Sequence, residues 1–547
     1  MDKNQLKYYT NLLKDGEILL LKSDDEFFQN HYTSSPLTKI TGFKGTAGEA
    51  IIEKNGKVTL FVDTRYHLLA PKQIYPNIGL YKMDLEENIF EALEKKYKKN
   101  TILFVPSSIQ LKNYLKLDRH FDLRKYDLEE KYNKNKDFNK KENVFLISNE
   151  IEKNDFNFKF KKLKNAYPDV DKMVIFDLDE ISYLTNLRSF QAEYSSNFRS
   201  ILFLDFKTNN NILFLDKIPK SKEINIENLA FKKLDEFESF IKLQDSYIFL
   251  NPEKITLKNF LAIKKPKEIK DKTISLFASI KTKSIINHLE EASLKTDLAI
   301  YNFKKQIKAG LSECDLVKIF QEELAKTGAK AESFKTLLAL DENSASIHYS
   351  EYSKDKVVSG ENIILLDCGG YFEGGYATDI TRTFYFGYYP KQIHKTIYTN
   401  VLRAFIACFN STSTSARKID TLARNLLNPF NNDGFYFSHG LGHGIGTSVH
   451  QAPPTLNMFS TDTINPYQTH SIEPGLYGKD KNNVEFGIRI ENCVYKDLNN
   501  KRHSLTNFPF EEILIDYSQL NTNEVDFIKT WQKNWENILK NKLNIEE

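Results

Sequence analysis

Two aspartates in the last third of the chain have the surroundings that a metal ligand requires. Asp367 follows an apolar run at residues 363–366, so its carboxylate should emerge from a buried strand and need a cation or donors to offset desolvation. Asp379 lies in an alternating pattern at residues 377–383 that is typical of a strand. The glycines between them suit a hairpin, and the sequence therefore predicts that Asp379 returns beside Asp367.

Histidines and further carboxylates follow within the next 125 or so positions. His439 and His443 lie among four glycines, which argues against a helix, and we attribute these glycines to close approach of the backbone to a ligand. Glu473 stands at a Pro-Gly turn. Arg489 and Glu491 alternate, which places them on one face of a predicted strand.

Two aspartates, one histidine and two glutamates make a hard, oxygen-rich ligand set with a single nitrogen. Such a set suits two divalent ions about 3.5 Å apart, because four carboxylates can neutralise four positive charges. Manganese is our first choice, and cobalt, zinc or iron could use the same ligands. Taken singly, each residue has a simpler interpretation as a strand-end cap, a loop histidine or a turn acid. Only the order and spacing of the whole set favour a metal centre.

Composition excludes several other functions. The 547 residues include 76 lysines and arginines and 73 acids, and the net charge of +3 creates no field for nucleic acid or an anionic membrane. Four cysteines without CxxC spacing argue against a disulfide framework and fit a reducing compartment. The N-terminus does not resemble a signal peptide, and no run approaches the ~18 apolar residues of a spanning helix. We expect a cytoplasmic protein that binds neither nucleic acid nor membrane.

The first half of the chain is predicted to contain two α/β units in tandem. Strand-like runs occur in two similar series, at residues 18–21, 50–52, 58–62 and 102–105, then at 173–176, 201–204, 212–215 and 247–250. Asn55-Gly56 predicts a type I′ hairpin turn. The charged stretch at residues 131–143 is the best linker candidate.

Helical patterns precede the chemistry-bearing segments. They cover residues 285–303 and 316–324, and Ser312 with Asp315 forms a predicted capping box for the second helix. We divide the chain at residues 1–145, 146–271 and 272–547. That gives three domains, as the length suggests.

The five chemistry-bearing segments, in this order, resemble the pita-bread metallopeptidases, a family that includes aminopeptidase P, prolidase, methionine aminopeptidase and creatinase. The resemblance implies an α/β (α+β) chain with two tandem creatinase-N-like α/β domains followed by a catalytic pita-bread domain that carries a C-terminal extension. It also implies that Asp379 and Glu491 bridge two ions. The implied ligands are Asp367, Asp379, His443, Glu473 and Glu491.

Three-domain aminopeptidase P is the branch that the chain resembles over nearly its whole length. The matching segments are residues 41–50 and 62–66, 178–181 and 186–188, and 505–510, the last followed by an amphipathic helix with Ile528, Trp531, Trp535 and Leu539 on one face. Such an enzyme removes the N-terminal residue of peptides whose second residue is proline, and the family favours a homodimer. One departure is Ser189-Phe190, where the family has a Gly-Ser pair; another is a longer hairpin between the two aspartates.

The same resemblance implies roles for residues beyond the ligands. Glu473 would accept the proton of the attacking water, and His450 with His348 would stabilise the tetrahedral oxyanion. His439 completes the implied catalytic group. The implied substrate-binding residues are Arg65, His348, His439, His450 and Arg489.

Three alternatives stay open. A prolidase-type dipeptidase would cleave only Xaa-Pro dipeptides, and the two N-terminal units and the C-terminal extension count against it. A non-catalytic binding protein on the same fold would have lost ligands, whereas all five are present. A purely structural protein would carry these acids and histidines as surface groups.

Overall fold

A computed structural model describes residues 1–29, 35–127, 144–190, 192–220 and 224–545. The chain divides into two units, of which the first consists of Met1–Leu146, Asn154–Glu193 and Asn197–Ile274, and the second of Ile147–Lys153, Tyr194–Ser196 and Ser275–Glu547. The linker predicted at residues 131–143 lies outside the described residues. The three domain boundaries drawn from the sequence stay predictions.

The first unit alternates short strands and helices. Its strands are β1 (Ile18–Lys22), β2 (Glu49–Glu53), β3 (Val58–Val62), β4 (Ile78–Lys82), β5 (Ile102–Pro106), β6 (Asp122–Tyr126), β7 (Phe145–Leu146), β8 (Lys172–Ile175), β9 (Leu187–Arg188), β10 (Ser200–Asp205), β11 (Asn211–Leu215), β12 (Leu229–Lys233), β13 (Ile248–Leu250) and β14 (Pro266–Glu268). Its helices are α1 (Lys3–Leu12), α2 (Pro36–Thr41), α3 (Ala70–Gln73), α4 (Ile89–Lys96), α5 (Leu111–Leu117), α6 (Phe156–Ala166), α7 (Leu178–Thr185), α8 (Phe237–Lys242) and α9 (Leu257–Ala262).

Two six-stranded sheets with the same topology form this unit. Their strand orders are β4-β3-β2-β1-β5-β6 and β12-β11-β10-β8-β13-β14. In each sheet the central strand, β1 or β8, has an antiparallel neighbour on one side and a parallel neighbour on the other. The predicted tandem repeat is confirmed. Strand β10 is buried along its whole length and β1 at every residue except Lys22, as expected for strands covered on both faces of a sheet.

The hairpin between β2 and β3 differs from the predicted turn. A type I′ turn requires positive φ at both Asn55 and Gly56. Gly56 has φ +83°, but Asn55 does not have a positive φ, so the prediction of a type I′ turn is wrong. The loop has three residues instead of two, since the amide of Glu53 donates to the carbonyl of Lys57. A single left-handed residue is enough for such a loop, and glycine occupies it.

The second unit contains the longer helices. They follow the short helix α10 (Thr273–Ser279), which begins two residues before the unit boundary, and they are α11 (Lys283–Lys304), α12 (Glu313–Lys326), α13 (Gln392–Asn410), α14 (Ala416–Leu427) and α15 (Thr522–Asn541). The strands are β15 (Ala331–Glu332), β16 (Leu337–Leu340), β17 (Asn362–Cys368), β18 (Gly370–Tyr371), β19 (Ile380–Phe386), β20 (Phe435–Tyr436), β21 (Gly442–His443), β22 (Thr455–Leu456), β23 (His470–Ile472), β24 (Gly475–Lys479), β25 (Glu485–Arg489), β26 (Asn492–Lys496) and β27 (Arg502–Ser504).

This unit repeats one plan of two helices against a three-stranded sheet. Side chains of α11 and α12 share a core with the sheet β16-β17-β19, and side chains of α13 and α14 share another with the sheet β20-β24-β25. The capping box of Ser312 and Asp315 begins α12 as predicted. In the part of the chain that the structure describes, every helix lacks the length and apolar character needed to cross a membrane.

Helix α15 contributes side chains to both cores of the second unit. Trp535 is buried, and the indole nitrogen of Trp531 donates to the carbonyls of Asn507 and Phe508. Ile528 and Leu539 are also buried, so the predicted apolar stripe of this helix is confirmed. The helix thereby holds residues 505–545, which we call the C-terminal extension, on the second unit.

Candidate metal centre

Strands β17 and β19 bring the two aspartates together. Asp367 lies near the end of β17 and pairs with Thr381 of β19. Asp379 precedes Thr381 by two residues, so side-chain alternation points both carboxylates to the same face of the sheet. Both residues are buried, with 8% of Asp367 and 4% of Asp379 exposed. The hairpin predicted between them is present.

His443 and Glu473 come from two neighbouring short strands. The amide of His443 donates to Ser471 Oγ at 3.0 Å, and the amide of Glu473 donates to the carbonyl of Leu441 at 2.8 Å. These bonds hold the end of β23 against β21. The histidine-bearing segment contains no helix, as predicted.

Two glycines beside His443 are required by contacts within the chain itself. A Cβ on Gly442 would collide with the carbonyl of Ser471, and a Cβ on Gly444 would collide with the carbonyl of Gln451. Neighbouring segments of this chain therefore require glycine at these two positions, and the predicted close approach of a ligand stays a prediction.

Glu491 arrives from the other half of the unit, just beyond β25. Its amide donates to the carbonyl of Thr381 at 3.1 Å, and Thr381 Oγ1 donates to its carboxylate at 2.7 Å. Only 1% of Glu491 is exposed. Thr381 therefore links the strand of the aspartates to this glutamate.

Ligand atoms of Asp379, His443 and Glu491 lie within 4.8 Å of one another. His443 Nε2 is 3.6 Å from Asp379 Oδ2 and 3.3 Å from Glu473 Oε1. One buried oxygen of each of three carboxylates has no hydrogen-bond donor among the described residues; these are Asp367 Oδ1, Asp379 Oδ1 and Glu491 Oε1. Unsatisfied, clustered anionic oxygens are costly alone and fit divalent cations.

The electrostatics of this cluster agree with its geometry. Burial, with the nearby charges of Glu491 and Asp367, raises the pKa of Asp379 well above its ordinary range. Burial, with Glu473 and Asp367, does the same to the pKa of Glu491. Like charges this close cannot all ionise in a dry site without positive charge among them.

Arg489 connects Asp367 to two further side chains. Its guanidinium donates to Asp367 Oδ2 at 2.6 Å and to the Tyr477 hydroxyl at 2.7 Å. The Tyr477 hydroxyl also lies 2.9 Å from His439 Nε2. His439 is thus joined to the carboxylate cluster through Tyr477. The sequence reasoning missed both Tyr477 and Thr381, although each lies within four positions of a predicted ligand.

The other predicted site residues are placed as follows. The ring of His450 lies 4.3 Å from that of His443, and His450 is exposed. His348 is half-buried in a loop whose Ile347 carbonyl accepts from Arg489 at 3.4 Å. Arg65 belongs to the first unit, where it forms a two-pronged ion pair with Asp63. The role of Arg65 in a substrate cleft stays a prediction.

Three family models match successive parts of this chain. Residues 287–496, which carry all five candidate ligands, match the model of metallopeptidase family M24. The chain belongs to this family. Residues 40–131 and 135–285 of the M24 metallopeptidase each match a creatinase/prolidase N-terminal domain. The expected architecture, two creatinase-N-like domains followed by a pita-bread domain, is confirmed.

Named relatives of this M24 metallopeptidase include aminopeptidases and dipeptidases. Xaa-Pro aminopeptidase 1 of Dictyostelium discoideum is 26% identical over 90% of this chain and 85% of its own length. The Xaa-Pro dipeptidase of Pyrococcus horikoshii is 29% identical over 50% of this chain and 76% of its own. A solved X-prolyl aminopeptidase from Caenorhabditis elegans, described as cytosolic with a di-nuclear active site, superposes with a TM-score of 0.84. At 19% identity and coverage of 97% and 93%, it shares the fold.

Proposed function

We propose that this M24 metallopeptidase is an Xaa-Pro aminopeptidase that uses two divalent ions to release the N-terminal residue of peptides with a penultimate proline. The observation that carries the proposal is the convergence of Asp379, His443 and Glu491 beside Asp367 and Glu473, with unsatisfied buried oxygens. Manganese is the preferred ion, because the set has four carboxylates and one imidazole. The cytoplasm is the proposed location.

Domain coverage favours the aminopeptidase over a dipeptidase. The Dictyostelium discoideum aminopeptidase aligns with 90% of this chain, including both N-terminal domains, whereas the Pyrococcus horikoshii dipeptidase aligns with 50%. Two N-terminal domains and a C-terminal extension are the plan of the three-domain aminopeptidases that the sequence resembles. A homodimer is proposed on the same resemblance, and light scattering of the purified protein tests it.

All five proposed ligands belong to the second unit. We assign Asp367, Asp379, His443, Glu473 and Glu491 as the residues that would hold the two ions. When bound, the ions supply Lewis acidity and make hydroxide available near neutral pH. Arg489 holds Asp367 in place through a 2.6 Å bond, and Thr381 holds Glu491.

The remaining roles belong to side chains at the edge of the cluster. Glu473 lies at the His443 side, where we propose that it accepts the proton of the attacking water and passes it to the leaving nitrogen. His450, exposed beside His443, and His348 are proposed to hold the substrate carbonyl as it becomes an oxyanion. His439, bonded to Tyr477, is the fourth proposed catalytic side chain.

Preference for proline follows from the missing N–H of the scissile bond. A bond before proline is a tertiary amide without a donor, so a site that makes no demand on that donor and holds the ring apolarly selects it. Specificity for the chain end follows if the free amine is held at Asp367.

The decisive experiment incubates purified protein with Mn(II) and an Arg-Pro-Pro peptide, with and without chelator. We expect release of arginine, its loss in chelator, and its loss in Asp379→Ala. Asp526→Asn, an exposed carboxylate of α15, is the matched control and should retain activity. Chelator-insensitive or absent release of arginine would refute the proposal.

Peptide length separates the two enzymatic alternatives. An aminopeptidase cleaves Arg-Pro-Pro and longer peptides, whereas a prolidase-type dipeptidase cleaves Arg-Pro alone. Metal content measured on the same preparation addresses the non-catalytic alternative, because a binding protein that had lost its centre would carry no stoichiometric ion.

A further inference from the structure

A buried glutamate outside the metal cluster makes an unusual set of contacts. Glu313, the first residue of α12, is fully buried, and its two carboxylate oxygens accept four hydrogen bonds. All four donors belong to residues 340–353, which we call the His348 loop. They are Leu340 N at 2.8 Å, Asn343 Nδ2 at 3.0 Å, Tyr349 Oη at 2.7 Å and Ser353 N at 2.8 Å.

The two oxygens of Glu313 divide the loop between them. Oε1 binds the residues that enter the loop, Leu340 and Asn343, and Oε2 binds those that leave it, Tyr349 and Ser353. Asn343 Nδ2 also donates to the Tyr349 hydroxyl at 3.0 Å, which closes the two arms on each other. His348 lies between the arms, so this carboxylate determines where both ends of its segment are held.

A helix cap does not explain this arrangement. A glutamate that served only its own helix would accept from amides of α12, yet these four donors all come from the loop, and the cap is supplied by Ser312. Burying a carboxylate is costly unless its lone pairs are used, and four donors use them. Burial, with the adjacent Glu313, raises the pKa of Tyr349 above its ordinary range, which keeps its hydroxyl a donor.

The far side of the loop faces the metal cluster. The carbonyl of Ile347 accepts from Arg489 Nη1, and Ser344 Oγ accepts from the amide of Gly487 at 2.8 Å. Arg489 in turn binds Asp367. The loop is therefore held from behind by Glu313 and in front by the strand that carries Arg489.

We infer that Glu313 is a positioning residue for catalysis: it fixes the His348 loop so that His348 is held ready beside the metal cluster. It touches neither substrate nor ligand, and acts through the loop. The inference rests on the proposed function, in which His348 binds the substrate carbonyl.

Glu313→Gln is the sharpest variant, because glutamine has the same shape and one oxygen fewer. If the side-chain amide nitrogen of the new glutamine faces Tyr349 and Ser353, the Tyr349 hydroxyl can rotate and accept a hydrogen bond from it. The backbone amide of Ser353 can only donate, so it loses its acceptor. Lost charge-assisted bonds predict a fall in kcat/KM of about tenfold. Tyr349→Phe, which removes one donor only, should show a smaller fall.

A double-mutant cycle distinguishes positioning from general destabilisation. If Glu313 acts through His348, Glu313→Gln lowers kcat/KM about tenfold in the wild-type background but no more than about twofold in His348→Ala. Equal losses in both backgrounds would overturn the inference. Glu323→Gln is the matched control, since Glu323 is a buried acid of the same helix bound by Lys326 and Gln306. The control should keep full activity, and an equal loss there would also overturn the inference.

Hydrogen exchange separates this inference from the proposed function. The amides of Leu340 and Ser353 should exchange faster in Glu313→Gln than in wild type and Glu323→Gln, whether or not the protein hydrolyses peptides. Wild-type protein without hydrolysis contradicts the proposed function. Unchanged exchange at both amides contradicts the hold of Glu313 on the loop.

Discussion

At the scale of single residues, the hydroxyl of Thr381 joins Glu491 to Arg489 beside the carboxylate cluster. It donates to Glu491 at 2.7 Å and accepts from Arg489 Nε at 3.1 Å. Thr381→Val keeps the shape but removes the donor to Glu491 Oε2 and the acceptor of Arg489 Nε in a buried site. We expect metal to be retained about tenfold less tightly, as a lost bond to a charged group predicts. Competition with a fluorescent chelator measures this.

Two variants make the Thr381 result specific. Thr381→Ser restores the hydroxyl and should restore metal retention. Thr399→Val removes another buried hydroxyl, which accepts from the Asp516 amide at 2.8 Å, and should leave metal retention unchanged. Equal metal affinity in Thr381→Val and wild type would contradict the role given to this hydroxyl.

Local sequence patterns singled out several ligand candidates, whereas they gave no sign of Thr381 and Tyr477. Asp367 follows an apolar run, Asp379 lies in an alternating strand pattern, and His443 lies among glycines. The residues adjacent to each of them therefore indicate an unusual position. The residues next to Thr381 and Tyr477 give no such indication. These two side chains matter because of bonds to residues far away in the chain, such as the bond from Thr381 to Glu491. Only tertiary structure brings those partners together.

At the scale of elements, a buried acid of α11 holds the C-terminal extension. Asp297 accepts from the Asn507 amide at 2.6 Å, and burial raises its pKa from an ordinary 3.8 to about 7 against the opposing effects of Asn507 and Arg382. The folded state binds this proton more tightly than the unfolded chain does. Its contribution to stability therefore falls as pH rises from about 4 to about 7, by a few kcal/mol at most.

Asp297→Asn removes that titration. We expect the melting temperature of the variant, relative to wild type, to increase between pH 5 and pH 8, because wild type alone then carries the buried charge. Thermal scans at the two pH values measure the difference. A constant difference would contradict the raised pKa, and the exposed Asp526→Asn serves as the control that should show no pH trend.

Periodicity predicted most elements of the fold, and turn chemistry predicted fewer. The two series of strands and the box of Ser312 and Asp315 are present because burial and capping act over a few residues. The type I′ turn was wrong because Asn-Gly also fits a three-residue loop with glycine last. The contacts that require glycine at 442 and 444 were not predicted, because only the fold brings the carbonyls of Ser471 and Gln451 against them.

At the scale of the whole molecule, metal should stabilise the folded chain. Bound ions favour the native state by mass action, and they also offset the repulsion among Asp379, Glu491 and their neighbours. We expect chelator to lower the melting temperature of wild type at pH 8. In chelator, Asp379→Asn should melt above wild type, because one repelling charge is gone. Calorimetry checks both, and a chelator effect in the variant equal to that in wild type would contradict the assignment of Asp379.

Two short stretches of the N-terminal half, Ile147–Lys153 and Tyr194–Ser196, belong to the second unit. The Ser196 hydroxyl lies within hydrogen-bonding distance of the carbonyls of Gly375, in the turn between Asp367 and Asp379, and of Thr447, which follows His443. A linear boundary therefore cannot reproduce the unit. A protein shortened to begin at residue 275 would lack Ser196 and its hydrogen bond to the turn between Asp367 and Asp379. Deletions and gene fusions that keep every proposed ligand can therefore still abolish activity.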